Sequence, residues 1–64
     1  GDALPKEMAR VRDQVMPSYI EIGPAGAFAL HFMRADLDRA AAAMAHGDIA
    51  AMMQAYKALK GYHV

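Results

Sequence analysis

Residues 20–33, IEIGPAGAFALHFM, contain two glycines and a proline that separate one apolar segment from the next. Gly23 and Gly26 have the GxxG spacing that cradles a phosphate or clamps a nucleic-acid backbone in some proteins. Such sites need basic residues nearby, and none occurs between Arg12 and Arg34. A phosphate loop also usually follows a strand, whereas the segment before Gly23 has a helical pattern. We therefore interpret the stretch as a junction between two helices.

Each residue of the junction has a distinct structural part in this interpretation. Gly23 ends the first helix in the left-handed conformation, because glycine adopts positive φ without steric cost. Pro24 begins the second helix, since its fixed φ suits a first helical turn. Gly26 has no side chain and so leaves room for a neighbouring helix.

The size of the chain limits it to a single domain, residues 1–64. A domain of this size is only marginally stable unless something reinforces it. The absence of cysteine excludes disulfides and thiolate metal sites, and three dispersed histidines are a poor basis for a zinc site. Of the usual ways to stabilise so small a domain, oligomerisation remains.

The composition predicts an all-α protein without a membrane span. Apolar residues make up 56% of the chain, and alanine and methionine dominate them, which favours helices. The longest apolar run, 22–30, is far shorter than the ~20 residues that a span needs. Seven basic and seven acidic residues balance, which argues against broad electrostatic binding to nucleic acid or membrane. We expect a cytoplasmic location.

The first helix is predicted over residues 3–22, with a kink at Pro17. A mid-helix proline typically costs ~3 kcal/mol, but Pro17 projects away from the apolar stripe, so a kink would leave the stripe intact. The alternative ends this helix near Met16 and starts a new one with a capping box from Ser18 to Glu21. The stripe itself consists of Leu4, Met8, Val11, Val15, Tyr19 and Ile22.

Two further helices are predicted over residues 24–46 and 48–60, as an antiparallel hairpin. Gly47 is the C-cap of the second helix and Asp48 the N-cap of the third, which makes the turn very tight. The apolar stripe of the second helix is Leu30, Met33, Leu37, Ala40 or Ala41, and Met44. That of the third helix is Ile49, Met52, Met53, Tyr56 and Leu59.

The second helix is apolar on two sides, because Phe28 and Phe32 project almost opposite its leucine stripe. A single chain of three helices encloses little core if it must cover both sides. We therefore expect a homo-oligomer, with a dimer favoured, that completes a helical bundle. The predicted residues of the self-association and partner interface are Phe28, Leu30, Phe32, Met33, Leu37, Met44, Met52 and Tyr56.

The candidates for catalysis and metal binding are weak. His31, Arg34 and Asp38 share one helix face, as a catalytic base and its neighbours would. No serine or cysteine nucleophile lies near them in sequence. We therefore interpret them as a solvent-exposed polar stripe with an Arg34–Asp38 ion pair. The spacing of His31 and the methionines would suit copper or haem ligation, yet methionine at core spacing usually serves packing. We predict no enzyme activity, cofactor or metal.

The sequence therefore predicts a small interaction or assembly module. Methionine-rich helical faces also bind partner helices, so another protein is a second candidate partner. The alternative function is a helical regulatory protein that inhibits a partner or binds DNA, with a small enzyme third. DNA binding is disfavoured, because the third helix would offer little beyond Gln54, Lys57 and Lys60 to the bases.

The spaced segments YIEIGPAG, MRADLDRAAAAMAHGD and AYKALKGY, within residues 19–62, resemble small uncharacterised proteins of bacterial and prophage genomes. This resemblance implies a cytoplasmic bacterial setting and a regulatory or accessory role. It implies no catalytic or binding residue.

Overall fold

The computed structural model describes residues 2–63, and every regular element in that range is helical. The N-terminal helix consists of three consecutive segments: α1 (Ala3–Arg10), a π-helical turn (Val11–Val15) and α2 (Met16–Glu21). A 3-10 turn, Gly23–Gly26, leads into α3 (Ala27–His46), and α4 (Ile49–Lys60) follows. The all-α prediction with three helices is confirmed. Within residues 2–63, no helix combines the length and apolar character needed to cross a membrane.

The N-terminal helix continues through Pro17, and its irregularity is the π-helical turn that ends two residues earlier. Proline lacks an N–H and its ring clashes with the carbonyl four residues back, so a widened turn before it relieves both problems. Ser18 does not cap a new helix; its hydroxyl donates to the Gln14 carbonyl at 3.3 Å. The alternative with a break near Met16 is therefore wrong.

The junction between the first two helices has the predicted turn residue but a later helix start. Gly23 has φ of 74°, in the left-handed region where glycine is favoured. Pro24 lies in the 3-10 turn rather than at the start of an α-helix, and α3 begins at Ala27. The second helix therefore begins three residues later than predicted.

The connection from α3 to α4 consists of Gly47 and Asp48, as predicted. Gly47 ends α3 with φ of 65°. Asp48 is the N-cap of α4, and its carboxylate accepts a hydrogen bond from the Ala51 N–H at 3.1 Å. These two residues join α3 to α4, and the two helices contact each other.

The core lies where the three helices meet. The N-terminal helix contacts both of the others: α1 packs on α4 and on α3, and α2 packs on α3. Arg10 ties α1 to the end of α4, because its guanidinium donates to the Leu59 carbonyl at 3.0 Å. The buried core residues are Leu4, Val11, Val15, Leu30, Met33, Ala40, Ala55 and Leu59.

Four predicted stripe residues lie mostly outside this core. Ile22 and Ile49 stand at helix ends and are 57% and 65% exposed. Met53 and Met44 are also exposed. Ala43 and Ala55, which were not in the predicted stripes, are buried, as is Ala40, which was. Because alanine is small, its burial on both helices permits close approach of α3 and α4. Alanine therefore supplies part of the buried surface of both helices, together with Leu30, Met33 and Leu59.

Candidate interaction surfaces

Two exposed phenylalanines form one face of α3, and one of them is the most exposed large apolar side chain among the described residues. Phe28 is 82% exposed and Phe32 is 57% exposed. They are four residues apart, so they lie side by side on the helix surface. Neither the N-terminal helix nor α4 covers them. We call this pair the phenylalanine face; scattered apolar residues are common on surfaces, but two adjacent phenyl rings are a substantial apolar patch.

A groove lies between α3 and α4, with a volume of about 480 Å³. Asp36 and Arg39, which lie one and two turns beyond Phe32, stand at its edge. Alanine is the commonest residue type among those that line it. We call it the alanine groove, and its lining alanines are Ala42, Ala43, Ala51, Ala55 and Ala58.

A second groove lies on the other side of α4, between that helix and the start of α1. Its volume is also about 480 Å³. Lys57 is the charged residue among those lining it, and the Lys60 ammonium lies 5.4 Å from the centre of the Tyr56 ring at the same end. We call it the methionine groove, and its apolar lining consists of Ala3, Leu4, Ile49, Met52, Met53 and Tyr56.

The predicted interface residues lie partly on the phenylalanine face, partly in the methionine groove and partly in the core. Phe28 and Phe32 form the phenylalanine face, and Met52 and Tyr56 line the methionine groove. Leu30 and Met33 lie in the chain's own core, at 8% and 0% exposure. The other two differ in burial: Leu37 packs partly buried against the core, whereas Met44 is exposed.

The sequence reasoning missed both grooves. Alanines at positions 51, 55 and 58 recur at the helical spacing of four and three, which was the available signal for the alanine groove.

The polar residues considered for catalysis do not converge. His31, Arg34 and Asp38 are all exposed, and the His31 ring makes an edge contact with Phe32 at 5.7 Å between centroids. The predicted Arg34–Asp38 pair is not among the ion pairs of residues 2–63. Arg39 instead pairs with Asp36, three residues earlier. No group of three or more potential metal-ligating His, Cys, Asp or Glu side chains occurs in the described part of the chain.

The residues after α4 fold back onto the earlier helices. The Tyr62 hydroxyl donates to the Asp36 carboxylate at 2.6 Å, and the Tyr19 hydroxyl donates to the His63 carbonyl at 3.2 Å. Partial burial, together with the Asp36 carboxylate, raises the pKa of Tyr62 to about 12. Asp36 accepts from both Tyr62 and Arg39, so one carboxylate joins α3 to the C-terminal residues.

Tyr62→Phe should lower the free energy of unfolding by about 1 kcal/mol at neutral pH, because it removes one hydrogen bond to a carboxylate. The wild-type interaction is fully present below pH 10, the ordinary pKa of tyrosine, and is lost as pH rises toward 12. Chemical denaturation from pH 8 to pH 11.5 should therefore show a steeper loss of stability for wild type than for Tyr62→Phe. Parallel curves would contradict the assigned bond.

Comparison with known proteins finds no matching protein-family model, no significant match among curated proteins and none among solved structures. The molecule is thus classed by its own features: a small all-α protein with a modest core, a phenylalanine face and two grooves.

Proposed function

We propose that this protein is a small non-enzymatic assembly module that self-associates through α3. The exposure of Phe28 and Phe32 on one helix face is the observation that carries the proposal. Aromatic residues, phenylalanine included, are enriched at the cores of protein interfaces relative to the rest of the surface. Within each copy, α3 and α4 form an antiparallel hairpin, which the short Gly47–Asp48 connection supports.

Two copies dock with their α3 helices antiparallel about a twofold axis. In such an arrangement the same patch of both copies must be complementary to itself. The phenylalanine face and the alanine groove meet this requirement, because large side chains near one end of α3 lie in line with alanines near its other end. Phe32 of one copy then fills space beside Ala42 of the other, and each phenyl ring loses its contact with water.

The size of the chain supports the same arrangement. A standard interface takes about 800 Å² from each partner, and the accessible surface of the whole chain is 4349 Å². Burying that share of a small protein adds the apolar burial that its modest core lacks, so the dimer is the more stable folded species.

Phe28→Asp combined with Phe32→Asp should convert the dimer to a monomer. Each change places a charge in the proposed interface, where it would lose its hydration without a partner. Sedimentation velocity at micromolar concentration measures the result, and circular dichroism should show unchanged helix content because both positions are exposed in the single chain.

Arg34→Ala is the matched control, since it removes an exposed side chain from another face of α3 and should remain dimeric. Ala42→Leu tests the opposite half of the interface by filling the alanine groove, and it should also weaken the dimer. A wild-type chain that stays monomeric at these concentrations would refute the proposal.

A further inference from the structure

We propose that the residues directly after α4, 61–63, form a latch that regulates self-association through the alanine groove. This inference rests on the proposed function, because the groove is one half of the proposed α3 interface. Its evidence is the pair of tyrosine hydrogen bonds that hold the latch, together with the position of Asp36 at the edge of the groove.

The latch is tied to three helices. The Tyr62 hydroxyl donates to Oδ2 of Asp36 on α3 at 2.6 Å. The Tyr19 hydroxyl on α2 donates to the His63 carbonyl at 3.2 Å. At the start of the latch, the Tyr62 N–H donates to the Leu59 carbonyl of α4 at 3.1 Å. Closure of the latch therefore joins the end of α4 to both α2 and α3.

The latch opens while the helices stay folded. Its residues lie beyond the last α-helix, and one side-chain hydrogen bond to each of α2 and α3 holds them there. Tyr62 is partly buried against the core and His63 is exposed. Segments held by so few contacts open locally at a much lower free-energy cost than the whole fold. The latch thus exchanges between a closed state and an open state.

Asp36 connects the latch to the groove. Its Oδ1 accepts from the Arg39 guanidinium and its Oδ2 accepts from Tyr62. Asp36 and Arg39 both line the alanine groove, and the side chain of Asp36 is only 14% exposed. Both carboxylate oxygens therefore have a protein donor when the latch is closed. When it is open, Oδ2 depends on water.

This difference favours the dimer when the latch is closed. Docking of a second copy removes water from the edge of the groove. A carboxylate oxygen that depends on water then loses its hydrogen bond, whereas one that is bonded to a protein hydroxyl keeps its partner. The open latch therefore weakens docking, and by linkage docking of the second copy favours closure.

Hydrogen exchange tests the latch by itself, in the double aspartate variant of α3 described above, so that dimerisation does not contribute. Tyr19→Phe should speed exchange of the Tyr62 N–H by about threefold or more, although the Tyr19 hydroxyl bonds to His63 and not to that amide. Tyr56→Phe is the matched control, because Tyr56 belongs to neither tie, and it should leave this exchange rate unchanged. Nuclear magnetic resonance measures the individual amides. Equal exchange rates with and without Tyr19→Phe would overturn the latch.

Tyr62→Phe in the otherwise unchanged chain tests the regulation. It should raise the dissociation constant of the dimer by about fivefold or more, as measured by sedimentation equilibrium. In an Asp36→Asn background the same change should have an effect of about twofold or less, because the amide carries no charge to be desolvated. A loss of packing alone would weaken the dimer equally in both backgrounds. Circular dichroism verifies that each variant is folded.

The failure of this proposal is distinguishable from that of the proposed function. A wild-type chain that is monomeric would refute the α3 interface and the regulation together. A wild-type dimer whose dissociation constant is unchanged by Tyr62→Phe would overturn the regulation alone, as would equal effects of Tyr62→Phe in the two backgrounds.

Discussion

Gly26→Ala should destabilise the protein by about 1–3 kcal/mol or more, the typical range for adding a methyl group to a packed site that cannot give way. A β-carbon at position 26 would collide with the backbone carbonyl oxygen of Tyr19 and would lie 3.1 Å from Ile22 Cγ1. The Ile22 side chain can move aside, but the Tyr19 carbonyl belongs to the helical backbone of α2. The 3-10 turn and α2 would therefore have to separate. Urea denaturation of the wild type and the variant measures the loss.

Gly61→Ala is the matched control for this effect. Gly61 follows α4 with φ of −73°, which any residue adopts, and the nearest contact of an added β-carbon would be an ordinary 3.4 Å. Alanine there should be neutral or slightly stabilising, because it restricts the unfolded chain. Equal losses at positions 26 and 61 would show that the close approach of α2 to the turn is not what the protein depends on.

Met33→Ala should have a comparable or larger effect, a loss of about 2–5 kcal/mol in the free energy of unfolding. Met33 is completely buried and is among the largest fully enclosed side chains of the core. Truncation removes its burial and leaves a cavity in the core between the helices. For so small a domain, a loss of this size approaches the whole stability. Thermal and urea unfolding at several protein concentrations should both report it.

Met53→Ala provides the same chemical change at an exposed position. Met53 is 58% exposed in the single chain, so its truncation should cost less than about 1 kcal/mol in dilute solution. The concentration series separates this intrinsic term from any contribution of self-association, which would grow with protein concentration. A Met53→Ala loss as large as that of Met33→Ala in dilute solution would contradict the assigned core.

The local signals of the sequence were sufficient to predict the helices and most of the residues at which they end. Gly23 was predicted as a left-handed helix end, which its φ of 74° confirms, and Gly47 was predicted as the C-cap of the second helix, which the structure also shows. Asp48 was predicted as the N-cap of the last helix, and its hydrogen bond to the Ala51 N–H confirms that as well. Such features depend on a few neighbouring residues, so the order of side chains along the chain is enough to specify them.

The sequence could not specify how each helix is rotated about its axis. Periodicity placed Ile49 and Met53 in the same stripe as Leu59, but only Leu59 is buried among these three. On α3 and α4 the buried positions combine alanines with Met33 and Leu59, while Ile49 and Met53 remain exposed. The periodicity of one helix does not predict this choice, because the choice depends on how the side chains of neighbouring helices fit together.

The sequence by itself determined the helical class, the turns at Gly23 and Gly47 and the two-sided apolar character of α3. Only the tertiary structure decided which side of α3 remains open: the N-terminal helix and α4 bury Leu30 and Met33 and leave Phe28 and Phe32 exposed. The physical reason is that helix formation depends on local hydrogen bonds and propensity, whereas the choice between two apolar faces depends on how three helices pack together.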